Sequence, residues 1–169
     1  AGDRLALLAS IFEPTTAALL RAAEMAPDRW PEVDTVTHRA VKDARHPGID
    51  VAIDLGCGPG FTSRLIGEVV APDRVVGFDF SAAFVTRAKA ETAALVAEQV
   101  GIGRAPIMYA FVKHDVTRTP FPVPPAPLVF ARYLAAHLPD PAAAIAAWST
   151  IVAREPVGRL LLEEIVALA

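Results

Sequence analysis

The sequence predicts an α/β fold, with a doubly wound, mostly parallel sheet and helices on both faces. From residue 51 onward, short apolar runs alternate with helix-length segments, which is the order of βαβ units. The runs are almost continuously apolar, as expected of parallel strands buried on both faces. With 169 residues, 53% of them hydrophobic, the chain suits one domain with a single core.

The first 48 residues differ from the rest of the chain. Apolar side chains at helical spacing between residues 3 and 26, interrupted by Pro14, predict two short helices. Prolines mixed with acidic residues make residues 27–48 a linker or a lid. We therefore divide the single domain into an N-terminal helical and lid segment, 1–48, and an α/β core, 49–169.

The core begins with a βαβ unit. We predict a strand at 51–56, a helix at about 60–70 and a strand at 74–80. Ser81 is a candidate N-cap for the next helix, whose apolar side chains fall on one face. This helix therefore packs on one side only.

The second half of the core follows the same order. A third strand is predicted at 106–116, and five prolines between 120 and 127 form a stiff connection to a fourth strand at 128–134. Asp140 caps a helix, and a fifth strand spans 159–168.

A glycine-rich turn joins the first strand to the first helix. Asp54 is followed by Gly56, Gly58 and Gly60, and such glycines let a ligand lie directly against the backbone. A dinucleotide motif would need a glycine where Phe61 stands, and no Gly-Lys pair marks a P-loop. The spacing predicts a ligand site and disfavours NAD and ATP.

Two further aspartates follow strands at the same edge of the predicted sheet. Asp79 ends the second strand, where a carboxylate can accept both hydrogen bonds from a ribose diol. Asp115 follows the third strand and either accepts from an exocyclic amine or forms an ordinary turn before Thr117. Three acidic strand ends around one glycine loop predict a cationic ligand that carries a nucleoside.

These residues resemble the class I S-adenosylmethionine-dependent methyltransferases of the small-molecule, methyltransferase-domain type, which have a Rossmann-like fold. The resemblance runs from about Asp50 to Leu168. It rests on five motifs in order: DLGCGPG at 54–60, GFDFS at 77–81, HDVTRTPFP at 114–122, ARYLAAHLPDP at 131–141 and GRLLLEE at 158–164.

The resemblance implies S-adenosylmethionine as cofactor and gives roles to individual residues. Four residues of the first motif would hold its methionine end: Asp54, Gly56, Gly58 and Gly60. The other contacts would come from Asp79 to the ribose, Phe80 to the adenine ring, Asp115 to the adenine amino group, Val116 through its backbone, and Arg132 near the methionine moiety.

The implied reaction is methyl transfer to a small organic acceptor by direct in-line displacement. The alternative is a non-catalytic S-adenosylmethionine-binding module or partner subunit. It draws support from the sheet, because the family normally has two more strands and this chain stops after the fifth. We expect those last strands to be missing, and the apolar fifth strand to associate with another copy.

Charge and cysteine content exclude several partners and sites. The net charge of −3 disfavours nucleic acid, and no apolar run approaches the roughly 20 residues that a membrane span needs. The single Cys57 fits a reducing, cytoplasmic compartment, and we interpret it as a small residue filling the turn. His38 and His46 lack ligand-spaced partners, so no metal is assigned.

Two acidic neighbours and one histidine complete the candidates. Glu163 and Glu164 are adjacent on a strand, so their side chains point to opposite faces and cannot flank one bond. His137 follows the fourth strand and either removes a proton from the acceptor or caps the next turn.

Overall fold

The computed structural model describes residues 2–24, 49–101, 106–154 and 158–164. Within them the elements follow in the order α1 (Gly2–Glu24), β1 (Val51–Leu55), α2 (Phe61–Val69), β2 (Arg74–Asp79), α3 (Ala82–Gly101), β3 (Met108–Lys113), β4 (Leu128–Arg132), a 3-10 turn (Ala135–His137), α4 (Pro141–Ser149) and β5 (Arg159–Glu163). None of the helices in these ranges combines the length and the apolar character that crossing a membrane requires.

All five strands form one parallel sheet, in the order β3-β2-β1-β4-β5. From β1 at the centre, β2 and β3 follow one another to one edge of the sheet. The chain then returns to the other side of β1, where β4 and β5 follow one another to the opposite edge. The sheet is therefore doubly wound, as predicted. Its switch point lies between β1 and β4, where ligands bind beyond the carboxyl ends of the strands in such folds.

Two separate hydrophobic clusters cover the two faces of the sheet. On one face, Leu20 of α1 and Ile66 of α2 are fully buried with Phe130 of β4. On the other face, Trp148 of α4 and Phe78 of β2 are fully buried. Burial on both faces explains the continuous apolar strands and confirms the predicted architecture.

The prediction of two short N-terminal helices was wrong, because α1 is one helix with Pro14 inside it. Proline removes one backbone hydrogen bond and crowds the preceding turn, but its fixed φ is compatible with a helix. Ala17 and Leu20, one turn beyond it, are buried in the cluster that includes α2. The free energy gained by burying this face of α1 offsets the lost backbone hydrogen bond. The spacing of apolar residues in the sequence does not show how these two free energies compare.

The predicted strands are present but shorter. β3 covers Met108–Lys113 rather than 106–116, and β4 ends at Arg132 rather than at residue 134. β4 ends there because Tyr133 has a φ of 51°, a left-handed conformation that cannot continue a strand. The predicted linker or lid at 27–48 and the last four residues of the predicted fifth strand lie outside the described residues.

Candidate functional site

The glycine loop after β1 has an unusual backbone that only glycine adopts easily. Gly56, Gly58 and Gly60 have φ angles of 68°, 53° and 87°, all in the left-handed region. The Cys57 amide donates to the Phe78 carbonyl over 2.9 Å, which ties the loop to the end of β2. The loop is therefore held in place by the neighbouring strand.

The three glycines differ in what surrounds them. A Cβ added at Gly56 would lie 2.9 Å from a methyl of Leu134, and one at Gly60 would lie 3.1 Å from the Cβ of Ala88. A Cβ at Gly58 would meet no atom of the described residues within 4 Å. The outer glycines are packed against the fold, whereas the middle one faces space that a ligand can fill.

Asp79 organises the loop from the end of β2. Its Oδ2 accepts a hydrogen bond of 2.8 Å from the Gly58 amide, and its Oδ1 accepts one of 2.7 Å from the Ser81 amide. The Ser81 hydroxyl in turn accepts from the Phe84 amide at 3.3 Å, which confirms Ser81 as the cap of α3. Each carboxylate oxygen retains a second lone-pair direction, so Asp79 can still accept from a diol.

Asp54 lies beneath the loop rather than at its surface. The residue is 1% exposed, and its Oδ2 accepts a 2.6 Å hydrogen bond from the Ser63 hydroxyl of α2. Burial raises the pKa of this carboxyl to about 7, against the opposing effects of the Ser63 hydrogen bond and the Arg132 charge. Asp54 therefore links the loop to α2 and titrates near neutral pH.

The residues expected to hold an aromatic base lie beyond β2 and β3. Phe80 is 72% exposed, and the Lys113 amine lies 5.9 Å from its ring centroid. Val116 is buried, and its carbonyl accepts a 2.9 Å hydrogen bond from the Trp148 indole. The Val116 carbonyl therefore has one acceptor direction occupied by Trp148, and the predicted backbone contact to a ligand stays a prediction.

Asp115 has local partners that match the turn alternative. Its Oδ1 accepts from the amide of Thr117 at 3.0 Å and from the hydroxyl of Thr117 at 2.6 Å, and Arg118 lies 3.2 Å from Oδ2. These hydrogen bonds lower the pKa of the carboxyl below its usual value. Asp115 is therefore an ionised turn residue, and its contact with an amine stays a prediction.

Arg132, at the carboxyl end of β4, is a buried cation with unused donors. Its side chain is 8% exposed, and neither Nε nor Nη2 has a hydrogen-bond partner among the residues that the structure describes. Nε lies 3.5 Å from Oε2 of Glu163, and the guanidinium carbon lies 4.8 Å above the ring centroid of Tyr133. Buried donors without acceptors are costly, so this guanidinium is a ready site for an anion.

Helix α1 reaches this part of the site, which the sequence did not indicate. The Thr16 hydroxyl donates to Oε2 of Glu163 over 2.6 Å, and the rings of Phe12 and Tyr133 meet edge to face at 5.3 Å. The Thr16 and Glu163 positions are 147 residues apart, so no local pattern could have paired them. We call Arg132, Tyr133, Glu163 and Thr16 the guanidinium cluster.

The two adjacent glutamates have separate partners, as the sequence predicted. Glu163 belongs to the guanidinium cluster, whereas Oε1 of Glu164 accepts from the amides of Leu134 and Ala135 at 2.9 and 2.7 Å. Glu164 therefore holds the backbone that leads into the 3-10 turn. His137 lies exposed in that turn, and its proposed role as a proton acceptor stays a prediction.

Cys57 has the properties of a turn residue. It is 4% exposed, and burial together with the Asp54 charge raises the pKa of its thiol above the usual value. A protonated, enclosed thiol is a poor nucleophile. Across the described ranges, no three His, Cys, Asp or Glu side chains gather in a way that could hold a metal ion.

Known proteins share this architecture. Residues 53–161 match the protein family described as "Methyltransferase domain". An uncharacterized 37.1 kDa protein in transposon TN4556 of Streptomyces fradiae is 32% identical over 123 residues, which are 72% of this chain and 31% of that protein. This chain therefore spans about a third of the curated relative it matches.

Two solved structures illustrate the likeness of fold. A candidate S-adenosyl-L-methionine-dependent methyltransferase from Methanococcus maripaludis superposes with a TM-score of 0.57 and 19% identity, over 92% of this chain and 59% of that one. The plantazolicin methyltransferase BpumL, solved in complex with SAH, gives a TM-score of 0.53 and 13% identity, over 68% of this chain and 38% of that one.

Proposed function

Because this chain belongs to the methyltransferase-domain family, we propose that it binds S-adenosylmethionine and catalyses transfer of the methyl group to a small organic acceptor. One observation carries the proposal. At the carboxyl edge of the sheet, an open glycine position lies between a carboxylate that organises it, Asp79, and a buried guanidinium with unused donors, Arg132. A nucleoside that ends in a zwitterionic amino acid needs both kinds of partner.

The residues present fit such a ligand. The space over Gly58 allows a ligand to lie against the loop backbone, since no side chain from the described ranges fills it. Asp79 would accept from the ribose hydroxyls, and the exposed ring of Phe80 would cover the adenine. The Asp115 carboxylate would accept from the adenine amino group, and the Val116 amide would donate to the ring.

The amino acid end of the ligand would lie over the other half of the edge. Arg132 would pair with its carboxylate through the donors that have no partner in the structure. Gly56, Gly58 and Gly60 would line the backbone path between the two ends. Asp54 would contribute a negative charge from below the loop, because its side chain is enclosed.

Little acid–base machinery is needed for the reaction. When bound, S-adenosylmethionine supplies an electrophilic methyl group on a sulfonium, and the departing group is a neutral thioether. The protein's part is to align the acceptor with the sulfur–methyl axis and to exclude water. For an acceptor that loses a proton, we propose the exposed His137 as the group that takes it.

The small organic acceptor is supported by charge. The net charge of −3 creates no general attraction for nucleic acid. The single cysteine supports a cytoplasmic location.

We further propose that two copies of the chain associate through the outer edge of β5. Among the described strands, β5 pairs only with β4, and its Leu162 is 37% exposed.

The test is a turnover assay that measures release of S-adenosylhomocysteine with panels of small phenols, amines and thiols, and with protein and transfer RNA as competing acceptor classes. We expect turnover with a small acceptor, and none in the matched Gly58→Val variant. Turnover with protein or RNA alone would contradict the acceptor class. Binding of S-adenosylhomocysteine without turnover on any acceptor would favour the alternative, a non-catalytic cofactor-binding module.

A second measurement addresses His137. If it takes the acceptor's proton, the His137→Gln variant lowers kcat for an acceptor that loses a proton and leaves the affinity for S-adenosylhomocysteine unchanged. An unchanged kcat would show that the imidazole takes no part.

A further inference from the structure

Arg132 and Glu163 lie close together but do not form a hydrogen bond. Their closest atoms, Nε and Oε2, are 3.5 Å apart, and Nε makes no hydrogen bond. Both side chains are largely enclosed, with exposed fractions of 8% and 14%. A buried arginine beside a carboxylate normally forms short, paired hydrogen bonds. Something must therefore keep the two groups from closing onto each other.

Two hydroxyls donate to the Glu163 carboxylate: that of Thr16 to Oε2 at 2.6 Å, and that of Tyr133, more weakly, to Oε1 at 3.5 Å. The Thr16 bond is the shorter. The Thr16 hydroxyl carries one proton and has two acceptors within reach, the Phe12 carbonyl at 3.0 Å and Oε2 of Glu163 at 2.6 Å. The glutamate oxygen is nearer and charged, so it is the stronger acceptor. Thr16 is fully buried on α1, and its neighbour Leu20 is also fully buried, which fixes the hydroxyl in place.

A second contact holds the guanidinium from the other side. Its carbon lies 4.8 Å above the Tyr133 ring centroid, and the Tyr133 amide donates to the Glu163 carbonyl over 2.7 Å. Tyr133 keeps a left-handed φ of 51°, which is costly for an aromatic residue. Stacking orients the guanidinium plane, while Nε and Nη2 stay without hydrogen-bond partners among the described residues.

We infer that the Thr16 hydroxyl holds the Glu163 carboxylate back from Arg132, so that helix α1 keeps the donors of Arg132 open for the carboxylate of an amino acid ligand. This inference rests on the proposed function, because it makes Thr16 and Glu163 positioning residues for binding of S-adenosylmethionine or its demethylated product. Without the Thr16 bond, Glu163 closes onto Arg132 and competes with the ligand's carboxylate.

The test compares two probes on the full chain by isothermal titration. S-adenosylhomocysteine carries the carboxylate, and decarboxylated S-adenosylhomocysteine is identical except that it lacks it. In Thr16→Val, which keeps the side-chain shape, we expect S-adenosylhomocysteine to bind on the order of five- to tenfold more weakly. Affinity for the decarboxylated probe should not change, because Arg132 does not contact it.

The matched control is Thr15→Val. Thr15 is the exposed neighbour on the same helix, and its hydroxyl donates only to the Phe12 carbonyl, at 2.8 Å. The same substitution there should leave both affinities unchanged. Thr16→Ser, which keeps the hydroxyl, should restore binding of S-adenosylhomocysteine.

The Glu163→Gln variant shows whether Glu163 competes with the ligand for Arg132 or instead helps Arg132 to bind it. If Glu163 competes for Arg132, removing its charge tightens binding of S-adenosylhomocysteine about threefold. In that background, Thr16→Val should have no further effect on affinity, since the competing carboxylate is gone. Weaker binding in Glu163→Gln would overturn the inference by showing that Glu163 supports Arg132.

Two other results would also overturn it. Equal losses for both probes in Thr16→Val would mean that helix packing changed rather than carboxylate recognition, and unchanged binding of S-adenosylhomocysteine would mean that no restraint exists. If the unsubstituted protein binds neither probe, the proposed function itself fails. That outcome is distinct, because it is seen before any substitution is made.

Discussion

The two halves of the sheet's carboxyl edge are built differently. In the half formed by β1 and β2, both oxygens of Asp79 accept from backbone amides, and the glycine loop is hydrogen-bonded to the end of β2. In the half formed by β4 and β5, the buried guanidinium of Arg132 has two nitrogens without hydrogen-bond partners in the described part of the chain. The polar groups of the first half are paired without a ligand, whereas those two nitrogens of the second half are not.

Because of this difference, we expect the β1–β2 half to recognise a ligand by its shape and the β4–β5 half to recognise it by its charge. The β1–β2 half presents preformed backbone and costs little to organise on binding. The β4–β5 half carries a buried cation whose contact with Glu163 leaves two nitrogens without hydrogen bonds to the described residues, which is unfavourable until a further acceptor arrives. A ligand with a neutral nucleoside at one end and a carboxylate at the other uses both properties. Substitutions in the two halves should therefore have different consequences for binding and stability.

Replacing Gly58 with valine should have the largest effect on binding, because it acts at the preformed half. A branched side chain is strained at a φ of 53° and fills the space that the ligand needs. We expect affinity for S-adenosylhomocysteine to fall by roughly a hundredfold or more. Titration calorimetry measures this, with Gly101→Val as control, since Gly101 also faces open space but needs no left-handed φ. Affinity close to that of the unsubstituted protein would show that the ligand does not cover Gly58.

Replacing Asp79 with alanine should weaken both binding and folding. The ribose loses its acceptor, at a cost to affinity of about 1–3 kcal/mol. The amides of Gly58 and Ser81 lose theirs as well, so the unfolding free energy should also fall. Calorimetric titration and denaturant unfolding give the two quantities. Unchanged affinity would contradict the ribose assignment.

Replacing Arg132 with methionine should lower ligand affinity with a smaller change in the unfolding free energy. We expect affinity for S-adenosylhomocysteine to fall about tenfold, because the carboxylate loses a charged partner. The unfolding free energy should change less than in Asp79→Ala, because Arg132 loses one long ion pair with Glu163, of 3.5 Å, whereas Asp79 loses two short hydrogen bonds from amides. A larger loss of stability than in Asp79→Ala would mean that the β4–β5 half is as complete as the other.

The smallest expected effect is a pH dependence of binding. The pKa of Asp54 is raised to about 7, mainly by burial, so the carboxyl becomes ionised between pH 6 and 8. A ligand ammonium near the loop favours the ionised form, so binding lowers this pKa and releases protons. Affinity for S-adenosylhomocysteine should therefore rise by a few-fold from pH 6 to pH 8. Asp54→Asn keeps an acceptor for Ser63 and should make the profile flat, and a rise that persists in this variant would exclude Asp54 as its source.

Local patterns were enough to predict the sheet and its helices. Alternating apolar runs and amphipathic segments indicated the five strands in order, and Ser81 and Asp140 were correctly identified as helix caps. The ends of strands were less predictable. β4 stops at Arg132 because of the backbone conformation of Tyr133, which no local propensity indicates.

The sequence by itself determined the glycine loop, because its chemistry is contained in seven consecutive residues, 54–60, where the conformational freedom of glycine acts locally. It also indicated Asp79 through its place at a strand end, whereas Arg132 was implied by the resemblance to the methyltransferase family. Only the tertiary structure decided what surrounds Arg132, since Thr16 and Glu163 reach it from a helix and a strand 147 residues apart. Likewise, only packing kept α1 continuous through Pro14, because burying Ala17 and Leu20 outweighs one lost backbone hydrogen bond.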